Sequence, residues 1–365
     1  MRVLVGMSGG VDSSVAAALL AEEGHEVVGA TLKLWGGASD SGCCSVADVD
    51  DARRVAQQLG IVHHVFSFTD DFERHVVAPY VAAHAAGQTP NPCIECNRHL
   101  KFDRFLRRAL LLGFDAVATG HHARVVAEAG GFQLRRGADA AKDQSYVLHV
   151  LGQDQLARTR LPVGELHKDE VRRRAAGLGL RTAAKPDSQD VCFITASGGR
   201  VAFLGARTGL HAGEVVDRAG TRVGRVDAVE VVTVGQRRGL GVPGGTGQPR
   251  YAVEVDVPGR RVVVGGPEDL LRPGVALGPP SWVGGPPQEG AAVLAQVSAH
   301  GAPRPGVWAP DAVVWDAPQS AVAPGQAVVL YDAADPDRCL GGAPAVLSGE
   351  PRRPETARSD RTGGF

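Results

Sequence analysis

The chain has 365 residues, 44% hydrophobic and 22% charged, with a formal net charge of −1. That length exceeds one ordinary core and predicts two or three domains. The near-neutral charge excludes a protein that binds nucleic acid over its whole surface, so any RNA contact must come from local basic patches. No stretch is apolar and long enough to span a bilayer, and the first residues read as a strand rather than a signal peptide. A cytoplasmic protein with no membrane partner is expected, whose six cysteines serve reactivity or metal binding rather than structural disulfides.

The first element is the aliphatic run Arg2-Val3-Leu4-Val5, which reads as a buried strand. Behind it stands Gly6-Met7-Ser8-Gly9-Gly10-Val11-Asp12-Ser13-Ser14. Its glycines let the backbone turn tightly and approach a ligand. Asp12 and Ser13 read as caps of a helix over 15–20 that ends at Gly24. Strand, glycine loop and helix N-terminus together point free N–H groups and a positive dipole end at an anion. Ser8, Ser13 and Ser14 add hydroxyl donors, and Asp12 can hold the magnesium that accompanies a nucleotide. No Gly-Lys-Ser/Thr follows, so this is no Walker A loop, and it is not a GxGxxG fingerprint. The string Ser-Gly-Gly-x-Asp-Ser resembles the PP-loop of the ATP pyrophosphatases, which cleave ATP between the α and β phosphates and attach AMP to a carbonyl oxygen.

Strand-like runs follow at 27–34, 62–68 and 115–120, alternating with helical patterns at 46–59, 71–86 and 96–112. This alternation predicts an α/β fold with a doubly wound parallel sheet. Ligands on such sheets sit at the carboxyl ends of the strands, which gathers the first loop, residues 32–37 and residues 119–122. After about residue 200, glycine and proline rise and short alternating runs appear at 230–234, 252–257, 261–264, 291–297, 312–315 and 327–331. These read as small β-rich domains, sandwich or barrel. The expected division is a catalytic domain over 1–197, a central β-rich domain over 198–268, a C-terminal β-barrel over 269–349 and a disordered tail over 350–365. The β domains are expected to be removable with nucleotide binding kept. Candidate basic patches are Arg104, Arg107 and Arg108; Arg172, Arg173 and Arg174; and Arg237 and Arg238, each by itself more simply a solvated face.

Cys93 and Cys96 form a C-x-x-C in a Pro-rich, polar stretch, and a third cysteine, Cys192, stands far downstream. In a cytosolic protein this spacing marks a redox or metal candidate. Cys96 is placed near the start of its helix, where the dipole raises the thiolate fraction. A zinc site is weaker, since no second C-x-x-C exists and His99, His121 and His122 are not at ligand spacing.

The ordered motifs of the chain resemble those of the tRNA-specific 2-thiouridylases, the MnmA/TrmU type. They are the Gly6–Ser14 loop, Thr89-Pro90-Asn91-Pro92 through Cys96-Asn97 to Lys101-Phe102, Ala118-Thr119-Gly120-His121 and Lys142-Asp143-Gln144-Ser145-Tyr146. Asp187-Ser188 through Cys192-Phe193-Ile194, the 235–241 stretch and Pro324-Gly325-Gln326 complete the set. The resemblance implies that Gly6, Met7, Ser8, Gly9, Gly10, Val11, Asp12 and Ser13 bind ATP with magnesium, with Leu32 beside the adenine and Gly120 closing the pocket. It implies that Asn91, Pro92 and Cys93 face the target uracil and that His121, Lys142, Asp143, Gln144 and Gln326 touch tRNA. Cys192 would carry a persulfide and Cys96 would resolve the transfer. The partners implied are tRNA, through a wobble uridine in its anticodon loop, and a cysteine desulfurase or sulfur-relay protein as donor. The β domains would grip the stem through phosphates.

The chemistry accounts for these parts. Adenylation turns the poor leaving group at C2 of uracil into a phosphate ester, and a persulfide supplies a soft nucleophile. Cys96 then ends disulfide-bonded to Cys192 until a reductant resets the pair. The chain departs from the family pattern at Cys93, where many members carry Asp. With Cys96 and Cys192 it makes a three-cysteine set that could hold a [4Fe–4S] cluster. The persulfide version is preferred because it needs nothing the broader family lacks. The chain also lacks the arginine-rich string common at the C-terminal tRNA-contacting turn, where His300 and Gly301 stand. Cys43, Cys44 and Cys339 are assigned no role, and Cys44 is read more simply as packed or incidentally exposed. The competing readings are an amide-forming ATP pyrophosphatase, which needs an ammonia source this chain does not show, and a non-catalytic RNA-binding module, which has no use for an intact ATP loop.

Overall fold

The chain opens with β1 (Arg2–Gly6), α1 (Val11–Glu22), β2 (Glu26–Lys33), α2 (Val46–Gln58) and β3 (Val62–Ser67). The structure is a computed structural model that describes residues 1–35, 45–187, 191–195, 199–243 and 249–347, with the side chains of Cys192 and Thr195 left out. The expectations on Cys43, Cys44, the Cys192 thiol and the 350–365 tail lie outside these residues. After two long helical runs come β4 (Ala116–Ala118), a hairpin of β5 (Ala123–Glu128) and β6 (Gly131–Arg136), and the short β7 (Thr159–Arg160).

Strands β3-β2-β1-β4-β7 form one parallel sheet, as expected from the strand–helix alternation. Alternate residues of β1 face opposite ways. Val3 and Val5 pack with Val15 and Ala16 of α1 and Val55 of α2, while Leu4 packs with Phe102, Phe105 and Val117 on the other side. Both faces are covered over β1 and β4, which is why these strands read as continuous aliphatic runs, whereas β3 at the edge is largely exposed. Strand order reverses between β1 and β4, so the loops leaving their carboxyl ends bound the crevice where such sheets take ligands.

Two local expectations are corrected. Helix α1 starts at Val11 with Gly10 as its cap and no side-chain cap, so Asp12 and Ser13 lie inside the first turn instead of capping it. The hydroxyls of Ser13 and Ser14 turn back to the Gly10 carbonyl at 3.2 and 2.8 Å. The helix expected over 96–112 begins four residues earlier, as Pro92–Glu95, and runs on through a wider π-helical stretch, Cys96–Arg104, into Phe105–Leu111. Proline at a first helical position suits that start.

The second sheet holds β8 (Gly213–Val216), β9 (Arg222–Val226), β10 (Tyr251–Asp256) and β11 (Arg261–Gly265), in the order β10-β11-β8-β9. The strand expected over 230–234 is a 3₁₀ turn, Val229–Val231, because Val229 and Val232 both drop into the core of this sheet. The third sheet is built from β12 (Leu271–Ala276), β13 (Ser281–Trp282), β14 (Ala292–Gln296), β15 (Arg304–Ala309), β16 (Ala312–Ser320), β17 (Ala327–Asp332) and β18 (Arg338–Pro344). β18 also pairs with β6, so the β5–β6 hairpin from the first part of the chain completes this sheet.

Side chains reinforce the graft. Arg135 grips Asp335 with two hydrogen bonds of 2.7 Å, Arg124 reaches Asp337 at 2.7 Å, and the Arg136 guanidinium lies 3.6 Å over the Tyr331 ring. One buried cluster runs from Leu4, Phe105 and Val117 through Leu134 and Tyr146 to Val329, Tyr331 and Cys339. Burial pushes the Cys339 thiol up to about 12, so it packs as a small hydrophobe. Among the described residues, no helix is long and apolar enough to cross a membrane.

The β domains are therefore not removable as expected: deleting them exposes the β6 edge and opens a shared core. A chain ended at residue 200 should lack a cooperative thermal transition and bind a hydrophobic dye strongly. A soluble, cooperatively melting fragment would contradict the shared core.

Candidate active site

The loop after β1 is held at its start by β2. Met7 donates its N–H to the Ala30 carbonyl at 2.8 Å, and its own carbonyl accepts from the Thr31 hydroxyl at 2.8 Å. Gly9 has φ +74°, and a Cβ there would lie 2.3 Å from the Asp48 carbonyl oxygen, so only glycine fits. Ser8 N–H reaches the Ser13 hydroxyl at 3.2 Å, which curls the loop over the first turn of α1. With no side chain capping α1, its leading N–H groups and dipole remain for an anionic ligand. Gly120, just after β4, abuts this turn: a Cβ would stand 2.5 Å from Ser13 N. Leu32 is half-buried near the carboxyl end of β2.

Two lysines from one segment pin the loop. Lys185 Nζ donates to the Gly9 carbonyl at 3.0 Å, to Asp48 at 2.6 Å and to Asp51 at 2.8 Å. Lys168 Nζ lies 2.7 Å from each Asp12 oxygen and 2.9 Å from Asp187. His122 Nε2 adds a third contact to Asp12 at 3.1 Å. Asp187 also takes Lys142 at 2.8 Å and Arg172 at 2.8 Å. Burial alone would raise the Asp12 carboxyl, but hydrogen bonds from His122 and Lys168 outweigh it and hold it below the usual carboxylate range. The same balance, with Lys142 and Lys168 as donors, holds Asp187 down at about 2.

The cysteine-bearing helix lies against this loop: Phe105 comes within 3.6 Å of where a Gly6 Cβ would be. Asn91 caps the helix by accepting from Cys93 N–H at 3.0 Å, and Pro92 is buried behind it. Cys93 is the exposed, first-turn cysteine. Cys96, expected near the helix start, is one turn further in and buried beside Phe72 and Phe193, so the dipole argument belongs to Cys93 instead. Phe193, next to Cys192 in sequence, is buried among the rings of Trp35, Phe72, Tyr80 and Phe203. The backbone of the second cysteine segment thus docks on the cluster that holds Cys96.

The expected RNA contacts divide. Lys142 is half-exposed, and Gln144 exchanges two hydrogen bonds with the His122 backbone, at 2.9 and 2.8 Å. The Asp143 carboxylate turns inward to Arg136, Gly137 N–H and Ser145. His121 is also inward: its ring is buried against Phe102 and bonded to Thr119 at 2.7 Å, and burial holds its imidazole well below the ordinary range. His300 and Gly301 lie in a turn after β14, with His300 exposed. Gln326 follows a tight turn whose Gly325 packs on Gln88 and Thr89, where Thr89 N–H reaches the Pro324 carbonyl at 2.7 Å. The third sheet therefore touches the segment that leads into Asn91 and Cys93. Of the basic patches, Arg237 and Arg238 are exposed. Arg172 turns inward to the Ala183 and Lys185 carbonyls, Arg104 and Arg107 pair with Asp71 and Asp103, and Arg173 and Arg174 both pair with Glu170.

Family models match three successive segments: the tRNA methyl transferase HUP domain over residues 1–196, the tRNA methyl transferase PRC-barrel domain over 201–266, and the aminomethyltransferase beta-barrel domain over 273–345. The tRNA-specific 2-thiouridylase MnmA of Acidothermus cellulolyticus is 47% identical over 354 residues, 94% of this chain and 97% of that protein. The chain belongs to the MnmA family of tRNA-specific 2-thiouridylases. The member from Chloroflexus aggregans is 46% identical over 356 residues, 93% of this chain and 97% of its own. Among solved structures, a 4-thiouridine synthetase–RNA complex with bound ATP aligns over 54% of this chain and 46% of its own, at 18% identity and a TM-score of 0.36.

Sequence reasoning missed Lys168, Lys185 and His122. A lysine opening a helix and a second lysine beside a proline carry no local signal; only the fold brings them to the loop. The charge cluster has a measurable consequence. A carboxyl held down at about 2 stabilises the fold above its ordinary, unfolded range, and that contribution is lost as pH falls through the folded value. Asp187→Asn should lower the melting temperature at pH 6 by about 3 °C or more. The gap to the unsubstituted protein should shrink as pH approaches about 2, followed by thermal melts across pH. A gap that does not narrow would remove Asp187 as the cause.

Proposed function

We propose that this protein is an ATP-dependent tRNA 2-thiouridylase, which adenylates the C2 oxygen of a wobble uridine and replaces it with sulfur, releasing AMP and pyrophosphate. The observation that carries the reading is the meeting of three parts in a chain of this family. Phe105, on the helical run that begins with Pro92 and Cys93, packs on Gly6 at the head of the PP-type loop, and the Pro324–Gln326 turn packs on Gln88 and Thr89, which lead into that run.

The loop N–H groups and the N-terminus of α1 hold the triphosphate, while Gly120 leaves room for it and Leu32 flanks the base. The uracil enters beside exposed Cys93, splayed from a single-stranded anticodon loop where unstacking costs little. Cys192 carries the persulfide; its terminal sulfur attacks C2, and AMP leaves with the oxygen. Cys96 resolves the transfer, and its burial shields the thiol from other oxidants until the second segment brings Cys192 to it. Arg237, Arg238 and His300 lie on exposed turns suited to phosphate contacts. A cysteine desulfurase or relay protein is the sulfur donor, and a tRNA substrate sets the work in the cytoplasm.

Magnesium accompanies ATP phosphates. Asp12, expected as its ligand, has both oxygens on the Lys168 ammonium, so the carboxylate as placed does not fit a metal, and no step runs through it. Among the described residues, no group of three or more His, Cys, Asp or Glu side chains is placed to hold a metal ion. The third thiol of a [4Fe–4S] set, Cys192, lies outside them, and no step is assigned to a cluster.

Nucleoside mass spectrometry of tRNA incubated with protein, ATP, magnesium and a desulfurase system should show 2-thiouridine. Cys96→Ser and Cys192→Ser should each abolish it, by about 100-fold or more, while adenylated tRNA still forms, because both thiols act after AMP attachment. Normal thiolation by either variant removes its role. Stoichiometric iron in anaerobic protein, lost in Cys93→Ala together with activity, would favour the cluster over the persulfide.

A further inference from the structure

The Lys168 ammonium reaches Asp12 from 156 residues away. Its side chain is only 8% exposed, and its three N–H bonds match three carboxylate oxygens: two of Asp12 at 2.7 Å and one of Asp187 at 2.9 Å. Its backbone N–H is fixed as well, by Asp139 at 2.9 Å. Asp187 is in turn braced by Lys142 and Arg172, and the free oxygen count at Asp12 falls further through His122 at 3.1 Å. Asp12, Lys168 and Asp187 are each anchored from more than one side.

We propose that Lys168 is a positioning residue of the nucleotide site: braced by Asp187, it fixes and neutralises the Asp12 carboxylate at the first turn of α1. The need is electrostatic. Asp12 sits in the turn that receives a triphosphate, and an uncompensated carboxylate there would repel it. An ammonium already committed to three oxygens does not grip phosphate itself. It keeps the Asp12 charge cancelled and its geometry set, so that the N–H groups and dipole of α1 dominate the field at the ligand. Removing one partner of such a buried pair leaves the other charge unpaired, which costs far more than the pair contributes.

This inference rests on the reading of Gly6–Ser13 as the ATP loop, and that reading is tested first. AMP formation by the unsubstituted protein with tRNA is measured, and its absence sinks both. Then kcat and KM for ATP are measured for Lys168→Met, Lys168→Arg, Asp12→Asn and the Asp12→Asn/Lys168→Met double variant, with tRNA affinity by filter binding. Lys168→Met should raise KM for ATP by about tenfold or more, with tRNA affinity within about twofold, whereas general destabilisation lowers the active fraction and leaves KM unchanged. The double variant should be no worse than Asp12→Asn within about threefold, because Lys168 acts through Asp12. Lys168→Arg should recover part of the loss, and it carries the test if the methionine variant does not fold. Additive losses would mean that Lys168 touches ATP directly and would overturn the proposal. So would a KM for ATP unchanged in Lys168→Met, or in Lys168→Arg within a double-variant series where Asp12→Asn alone is impaired and Lys168→Met does not fold.

Discussion

A glycine loop that leaves the N–H groups at a helix N-terminus uncapped cannot stabilise itself, and here two lysines hold it. Lys185 grips the Gly9 carbonyl and is itself seated on Asp48 and Asp51, while Lys168 grips Asp12 and is seated on Asp187. Each lysine pairs with more than one carboxylate, and in that environment each interaction is stronger than its surface counterpart. Both lysines come from the stretch that ends at Asp187, five residues before Cys192. The placement of the glycine loop and of the chain that ends at Asp187 therefore depends on these two sets of charges.

The second constraint is the graft of the β5–β6 hairpin onto β18. A sheet that takes two strands from another part of the chain cannot drift relative to it, because the ladder bonds, the Arg135–Asp335 pair and the shared core would all have to break. The Pro324–Gln326 turn is then fixed against Thr89, and through it against Asn91 and Cys93. For an enzyme that acts on tRNA, a rigid distance between the two parts serves register better than a hinged pair of domains.

Much of this was legible in the residues. Aliphatic runs covered on both sides read directly as a parallel sheet, and the Gly6–Ser14 string announced its tight turn between strand and helix. The strands at 252–257, 261–264 and 327–331 were visible because β-branched residues alternate between turn residues. The hairpin was not seen: Ala123–Arg136 is rich in arginine, whose partners Asp335 and Asp337 lie some two hundred residues on. Asp143 and His121 entered only as tRNA contacts implied by the resemblance, and nothing local in the sequence showed that Arg136 and Thr119 hold them inward. The lysine pair was invisible for the same reason, because long-range pairing of common charged residues leaves no local pattern.

The most direct measurement is the fate of ATP when the protein is given tRNA and no sulfur donor. Chromatography of labelled nucleotide should show AMP and pyrophosphate as the products, dependent on tRNA, with AMP also attached to the RNA. ADP and inorganic phosphate as the main products, or hydrolysis indifferent to tRNA, would contradict the account.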